Sequence, residues 1–194
     1  MGFLDALLGR SKPAQANLDK LFGLPGAQIT LEASEGLEPT GHAGVCFKPA
    51  SGQAFSATEQ EFIQLLNLGD ETGTRMDESS DEYGYRWVVI TAGDFDSLVT
   101  RVHMTNSTLQ DNGYGPQLLC SVFGFRPKQP TPDGPASTYL VYLYKRGTFY
   151  PFIPTGKERR DNEAELRLKN ELKEDLAIEP DLNRWFPIWS LPVS

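Results

Sequence analysis

"YRWVVITAGDFDSLVTRVHMTNSTLQDNGYGPQLLCSVFGF" (Tyr85–Phe125) is the stretch whose reading decides the fold class. Its first seven residues place apolar side chains on both faces, Trp87 and Val89 against Val88 and Ile90. That is the pattern of a central strand covered on two sides. A helix follows: Asp94 is positioned to cap it, and Phe95, Leu98, Val99, Val102 and Leu109 recur at helical spacing. Gly113 stands where a left-handed residue is wanted to end it. "QLLCSVFGF" then returns to strand. "GYGPQ" follows a helix and precedes a strand, the reverse of the order that sets a phosphate on a helix N-terminus, so it is a connector.

Working towards the C-terminus, "RPKQPTPDGPA" is rich in proline and reads as an exposed loop, and "STYLVYLYK" as a further strand. A helix begins at Asn162, which is placed to cap it, with Glu165 in the reciprocal position; Ala164, Leu168, Leu172 and Leu176 line one side. The tail "IEPDLNRWFPIWSLPV" sets Trp185, Phe186, Ile188 and Trp189 between prolines, which favours an extended segment packed over the body.

Working towards the N-terminus, the acid-rich "GDETGTRMDESSDEYG" (69–84) reads as a solvated loop. Ser56 and Glu59 form a capping box for a helix with Phe62, Leu65 and Leu66 on its apolar side, ending near Gly69. "AQITLEA" alternates, Ile29 and Leu31 against Thr30 and Glu32, and predicts a half-buried strand paired with "GVCFKP" across "SEGLEPTGHA". "LDKLFGLPG" predicts a short helical turn stopped at Gly23–Gly26. The expected fold is therefore α+β: a mainly antiparallel sheet of about five strands with three main helices packed on it. By fold analogy, the order suggests a type III secretion chaperone-like (YbjN-like) architecture. Residues 1–12 are expected to form an amphipathic helix and residues 13–194 a single α+β domain.

With 194 residues and a net charge of −8, the chain is poorly suited to phosphate backbones, which are bound by clustered Lys and Arg. Nucleic acid is not an expected partner. Cys46 and Cys120 lie in apolar runs and read as buried free thiols rather than a disulfide. The opening residues lack the basic n-region of a signal peptide, and no run approaches the ~20 apolar residues of a membrane span. A cytoplasmic protein is expected, with membrane association open.

Nucleophilic chemistry would need a base, and the chain offers only His42 and His103; no G-x-S-x-G elbow surrounds a serine. Zinc-ligand spacing is absent, and the acids of 70–82 lack an EF-hand register. No catalytic residue, metal ligand or cofactor site is expected, and the chain reads as a non-enzyme. One cluster stands out: "YLYKRGTFYPFIPTGKERRDN" interleaves aromatics, Phe149 and Tyr150 among them, with Lys145, Arg146, Arg159 and Arg160. Such a mixture suits an acidic protein surface or an anionic head group, or else a strand edge whose charges pair internally.

The first ten residues, "MGFLDALLGR", set Phe3, Leu4, Leu7 and Leu8 on one helical stripe. At ~1.5–3 kcal/mol each, those side chains gain ~6–12 kcal/mol when fully buried. Fixing the backbone at ~1–2 kcal/mol per residue removes most of that. The stripe fits docking onto protein, or a weak and reversible contact with lipid.

Six phrases carry a family resemblance: "MGFLDALLGRSKP", "LDKLFGLPGAQITLEA", "YGYRWVVI", "NSTLQDNGYGPQLLCSVFGF", "LVYLYKRGTFYPF" and "ERRDNEAELRLKNELKEDLAIEPDLNRWFPIW". Together they resemble the PspA-associated protein B family (PspAB) over essentially the whole chain, with departures confined to 69–81 and 127–137. The resemblance implies association with the phage-shock membrane-stress system built on PspA, and often with an HtpX-like membrane metalloprotease. It supplies no catalytic residues. The expected function is thus a non-enzymatic adaptor that binds a PspA-like protein or an HtpX-like protease. Two alternatives are a peripheral anionic-lipid-binding module acting through the N-terminal helix, and a hydrolase built on His42 or His103.

Overall fold

A computed structural model describes residues 16–49, 75–130, 134–189 and 191–193. The N-terminal helix, its side chains Phe3, Leu4, Leu7 and Leu8, and the Ser56–Gly69 helix lie outside the described residues.

The fold is α+β. Its main sheet has six strands in the order β2-β3-β1-β4-β5-β6, and every neighbouring pair is antiparallel. In chain order these are β1 (Leu37–Phe47), β2 (Arg75–Ser80), β3 (Arg86–Thr91), β4 (Leu118–Pro127), β5 (Thr138–Leu143) and β6 (Thr148–Phe152). A small hairpin, β7 (Pro154–Gly156) with β8 (Arg159–Arg160), follows. Three α-helices lie among the described residues: α1 (Leu24–Glu35), α2 (Phe95–Leu109) and α3 (Asn162–Leu172).

The strand-helix-strand stretch behaves as its pattern dictates. In β3, which has β2 on one side and β1 on the other, Trp87, Val88 and Ile90 are all buried. The Asp94 side chain accepts from the Ser97 amide at 2.8 Å and caps α2, whose apolar stripe is buried as expected. Gly113 adopts φ 87, and β4 begins five residues later.

The N-terminal reading is corrected. Residues 27–33 are not a strand but the middle of α1. Leu24, Ala27 and Leu31 bury completely on one helical stripe, whereas Ile29, which alternation would place inward, is 70% exposed. Both periods fit a window of seven residues; the stripe is seen only when Leu24 is included. The expected short helical turn is a 3-10 turn, Leu18–Gly23, but the chain runs from it directly into α1, and Gly26 lies inside that helix. The two glycines let the chain approach the segment after α3: a Cβ on Gly23 would lie 2.7 Å from the Asp175 carbonyl oxygen. The helix instead ends at Gly36, with φ 63.

Of the segment read as a turn between two strands, Ser34 and Glu35 close α1, and from Leu37 it belongs to one long strand, β1, which also takes in the expected strand at Gly44–Phe47. A bulge between Pro39 and Ala43, with Gly41 at φ 81, absorbs the irregular residues. Pro39 lies where β1 pairs with β4 alone.

Arg75–Ser80, read as part of a solvated loop, is the edge strand β2, paired with β3 residue for residue. Its charges are those of a protected edge: Arg75 pairs with Asp77, and Glu78 with Arg86 of β3. β6 is a further strand beyond those expected. Its outer edge is closed by the tail, the Phe149 amide donating to Ala177 and the Glu179 amide to Phe149.

The cap of α3 is Asp161, one residue before the expected Asn162; its side chain accepts from the Ala164 amide at 3.0 Å. Glu165 does not cap. It turns inward to accept from the Ile153 amide at 2.8 Å and to pair with Arg160.

The sheet separates two cores. The three helices cover one face, over Val45, Ile90, Phe123 and Phe149. The C-terminal tail crosses the other, over Trp87, Val122, Val141 and Tyr150, and there Trp185 and Val193 are buried. Tyr139 and Tyr150 fasten the tail through hydroxyl hydrogen bonds to the carbonyls of Val193 and Phe186.

Candidate functional site

The tail does not cover its face of the sheet completely. At one end, where β1 and β5 finish and β3 begins, it leaves a cleft of about 520 Å³. The floor follows from strand register. Trp87, Cys46, Cys120 and Leu143 form one transverse row over four adjacent strands, and the alternation of side chains turns all four towards the tail. Tyr83 and Tyr85 from the β2–β3 turn make one wall, and Tyr150 with Phe186, Ile188 and Trp189 the opposite one. Tyr83 and Phe186 remain 55% and 59% exposed at the mouth.

Asp81, the Trp87 indole and the Tyr150 hydroxyl are already engaged. Asp81 accepts from the amides of Tyr83 and Tyr85 and from the Trp87 indole at 2.9–3.0 Å, so one carboxylate fixes the turn and the tryptophan rotamer. The Tyr150 hydroxyl donates to Phe186 at 2.7 Å, and burial pushes its pKa well up. Cys46 and Cys120 are free and buried, as expected. Their mutual hydrogen bond, then burial, drives the Cys46 thiol up, so its thiolate is strongly disfavoured as a nucleophile.

Four cations border the cleft: Lys48, Lys145, Arg146 and Arg184. Arg184 pairs with Asp181 at 3.2 Å. Arg146 is held by Glu179 through Nε at 2.5 Å and Nη2 at 3.2 Å. Burial alone would raise the Glu179 carboxyl; hydrogen bonds from Arg146, Thr148 and the Asp181 amide outweigh it and leave the group below its ordinary range. Among the described residues, Lys48 and Lys145 have no carboxylate partner. They are the uncommitted charges of the rim.

The basic-aromatic cluster therefore divides. Lys145, Arg146 and Tyr150 reach the cleft. Phe149, adjacent to Tyr150 in a strand, necessarily faces the other way; it is buried under the helices against Tyr142. Arg159 sits exposed in β8, outside the cleft. Arg160 is a tie: it pairs with buried Glu165 at 2.7 Å, donates to the Trp185 carbonyl at 2.6 Å and stands 5.1 Å from the Phe152 ring centre. Lys48, Trp87, Trp189 and the tyrosines of the β2–β3 turn escaped sequence reasoning, because only register and the path of the tail bring them together.

Neither histidine lines the cleft. His42 Nδ1 lies 3.1 Å from the Thr91 hydroxyl, and His103 stacks on Phe22 near Asp19. No group of three or more metal-ligating side chains exists among the described residues, and no described helix is long and apolar enough to cross a membrane.

The family model for PspA associated protein B matches residues 1–193, which is nearly the whole chain. The chain belongs to this family. No curated protein and no solved structure matches it, so the type III secretion chaperone-like analogy is not confirmed. For this PspAB protein, the family name implies association with PspA.

Proposed function

We propose that this PspAB chain is a non-enzymatic cytoplasmic accessory protein of a PspA-type membrane-stress system, and that it acts by binding a PspA-like partner at the rim of the cleft. One observation carries the reading: in a chain of net charge −8, two lysines without carboxylate partners among the described residues flank a mouth where Tyr83 and Phe186 stay exposed. Aromatic residues are enriched among interface anchors, and uncommitted rim charges steer an acidic partner. Of the two thiols in the floor, Cys46 is disfavoured as a nucleophile, and no histidine is among the lining residues, which favours recognition over bond-making.

The test is co-purification of the full chain from its native host, with the PspA-like protein and the HtpX-like protease as the two candidates to be scored. The PspA-like protein is expected in the eluate, and Lys48→Glu with Lys145→Glu is expected to reduce its recovery and its sensitivity to salt. Recovery unchanged by the double reversal refutes the assignment of the rim. Charge reversal at Arg146 is uninformative, since it breaks the Glu179 pair.

A further inference from the structure

We infer that the interior of the cleft binds an amphiphilic monoanion, an alkyl chain ending in a single anionic head, with the head at the Lys48–Lys145 rim. This rests on the reading of the cleft as the working site and adds what fills it.

The distribution of polarity selects the class. The floor row of Trp87, Cys46, Cys120 and Leu143 presents indole, thiols and an alkyl chain, and Tyr150 and Trp189 continue it up one wall. Two polar groups over the floor are occupied, the Trp87 indole by Asp81 and the Tyr150 hydroxyl by the Phe186 carbonyl. A body bearing hydroxyls or amides would lose its water there and find little in exchange. Positive charge, in contrast, lies only at the edge. Asp81, the acid among the lining residues, has three protein donors of its own, and both arginines are paired, which leaves the two lysines to meet an incoming head.

A doubly or triply charged head such as a nucleotide phosphate calls for a denser set of donors, and a cationic head would meet the lysines. A volume of about 520 Å³ lies within the range of small-ligand sites and suits a chain of medium length. Such a chain would also cover Tyr83 and Phe186, two of the large apolar side chains this fold leaves exposed.

The same chemistry is found in a free fatty acid and in a membrane lipid. The experiment separates them. The purified full chain is titrated with decanoate, decanol and decyltrimethylammonium, each below its self-assembly concentration. Tryptophan emission is the signal, since Trp87 and Trp189 line the site. A saturable response to decanoate is expected, about tenfold weaker for decanol and absent for the cation. Lys48→Glu with Lys145→Glu should remove the preference for decanoate, and Leu143→Phe, checked for an unchanged melting temperature, should weaken all binding by narrowing the floor.

Equal responses to the three head groups, or a decanoate affinity indifferent to the double reversal, overturn the inference. Vesicles of anionic phosphatidylglycerol that compete with decanoate and float the protein assign the head to a lipid. A decanoate response without flotation assigns it to a free acid. The partner experiment is scored separately. Recovery of the PspA-like protein by a chain that ignores decanoate defeats this inference alone, and decanoate binding by a chain that recovers no partner defeats the proposed function alone.

Discussion

Replacing Arg160 by methionine tests how the tail is held against the sheet. Glu165 is buried, and its carboxylate receives Arg160 Nε at 2.8–2.9 Å and the Ile153 amide. The methionine variant keeps the aliphatic stem and removes the charge, leaving a carboxylate in a dry site with one amide donor. Breaking such a pair from one side costs about 3–5 kcal/mol, because the surviving charge is uncompensated. Losing the bond to the Trp185 carbonyl adds about 1 kcal/mol. For a chain of this length, each kcal/mol lowers Tm by about 2–4 °C, so a fall of about 10 °C or more is expected. The pH dependence has a definite sign. Burial already raises the Glu165 carboxyl above its usual range in the intact protein, and removing Arg160 raises it further. A carboxyl whose folded pKa exceeds its unfolded value loses stability as pH rises between the two, so the deficit of the variant should shrink on acidification through that window. Urea unfolding from pH 4 to 8 measures it. Pairing Arg160→Met with Glu165→Leu should restore most of the loss, since apolar replacement of both members of a buried pair is often near neutral. A single variant as stable as the parent, a deficit independent of pH, or a double variant as poor as the single would refute the reasoning.

Two further outcomes are expected. Gly44→Ala places a Cβ 2.8 Å from Val193 Cγ2 and 3.0 Å from the Trp87 ring, so the end of the tail must lift; a cost of about 1–3 kcal/mol and faster proteolysis after residue 180 should follow. Cys46, its thiol pushed up by its hydrogen bond with Cys120 and by burial, should react far more slowly with iodoacetamide in the native protein at pH 8 than in urea, where both cysteines take a label, as read by intact mass and peptide mapping; a native mass two hydrogens short would contradict the free thiols.

The elements legible in the sequence are those whose determinants are local. The helix from Phe95 carries its cap, its stripe and its terminating glycine within twenty residues, and β3 carries its own two-faced burial. Where a determinant lies outside the window, the reading fails. Residues 27–33 alternate like a strand, and the helix emerges only with Leu24 before them and Gly36 after. Arg75–Ser80 illustrates a different difficulty, since an acidic segment in water and a charged edge strand share one composition; a partner strand decides between them, and β3 is not written in those residues. The cleft is harder still. Its floor is a row through Trp87, Cys46, Cys120 and Leu143, fixed by three separate registers, and its far wall depends on where the tail turns. Sequence could assign Tyr150 and Phe149 to opposite faces by parity alone, yet which face opens to solvent is settled by the Phe186 and Trp189 that arrive forty residues later.

The fate of the cations is what separates a binding surface from an incidental one. With 26 acids to 18 bases, the arginines in particular find carboxylates: Arg160 pairs with Glu165 close by, and Arg146–Glu179, Arg167–Glu35 and Arg126–Glu38, with Lys128–Glu32, tie distant segments together. Among the residues that line the aromatic cleft, the two arginines follow that pattern, and the two lysines, Lys48 and Lys145, keep their charge open to solvent. Exposed lysines contribute little to stability either way. What distinguishes this pair is its place beside an apolar mouth, where a ligand or partner that brings negative charge can use it. The proposal thus rests on charge placement rather than on total charge: the chain as a whole repels anions, and this cleft is where an anion with an apolar body gains more from indole and alkyl contact than it loses to the field around it.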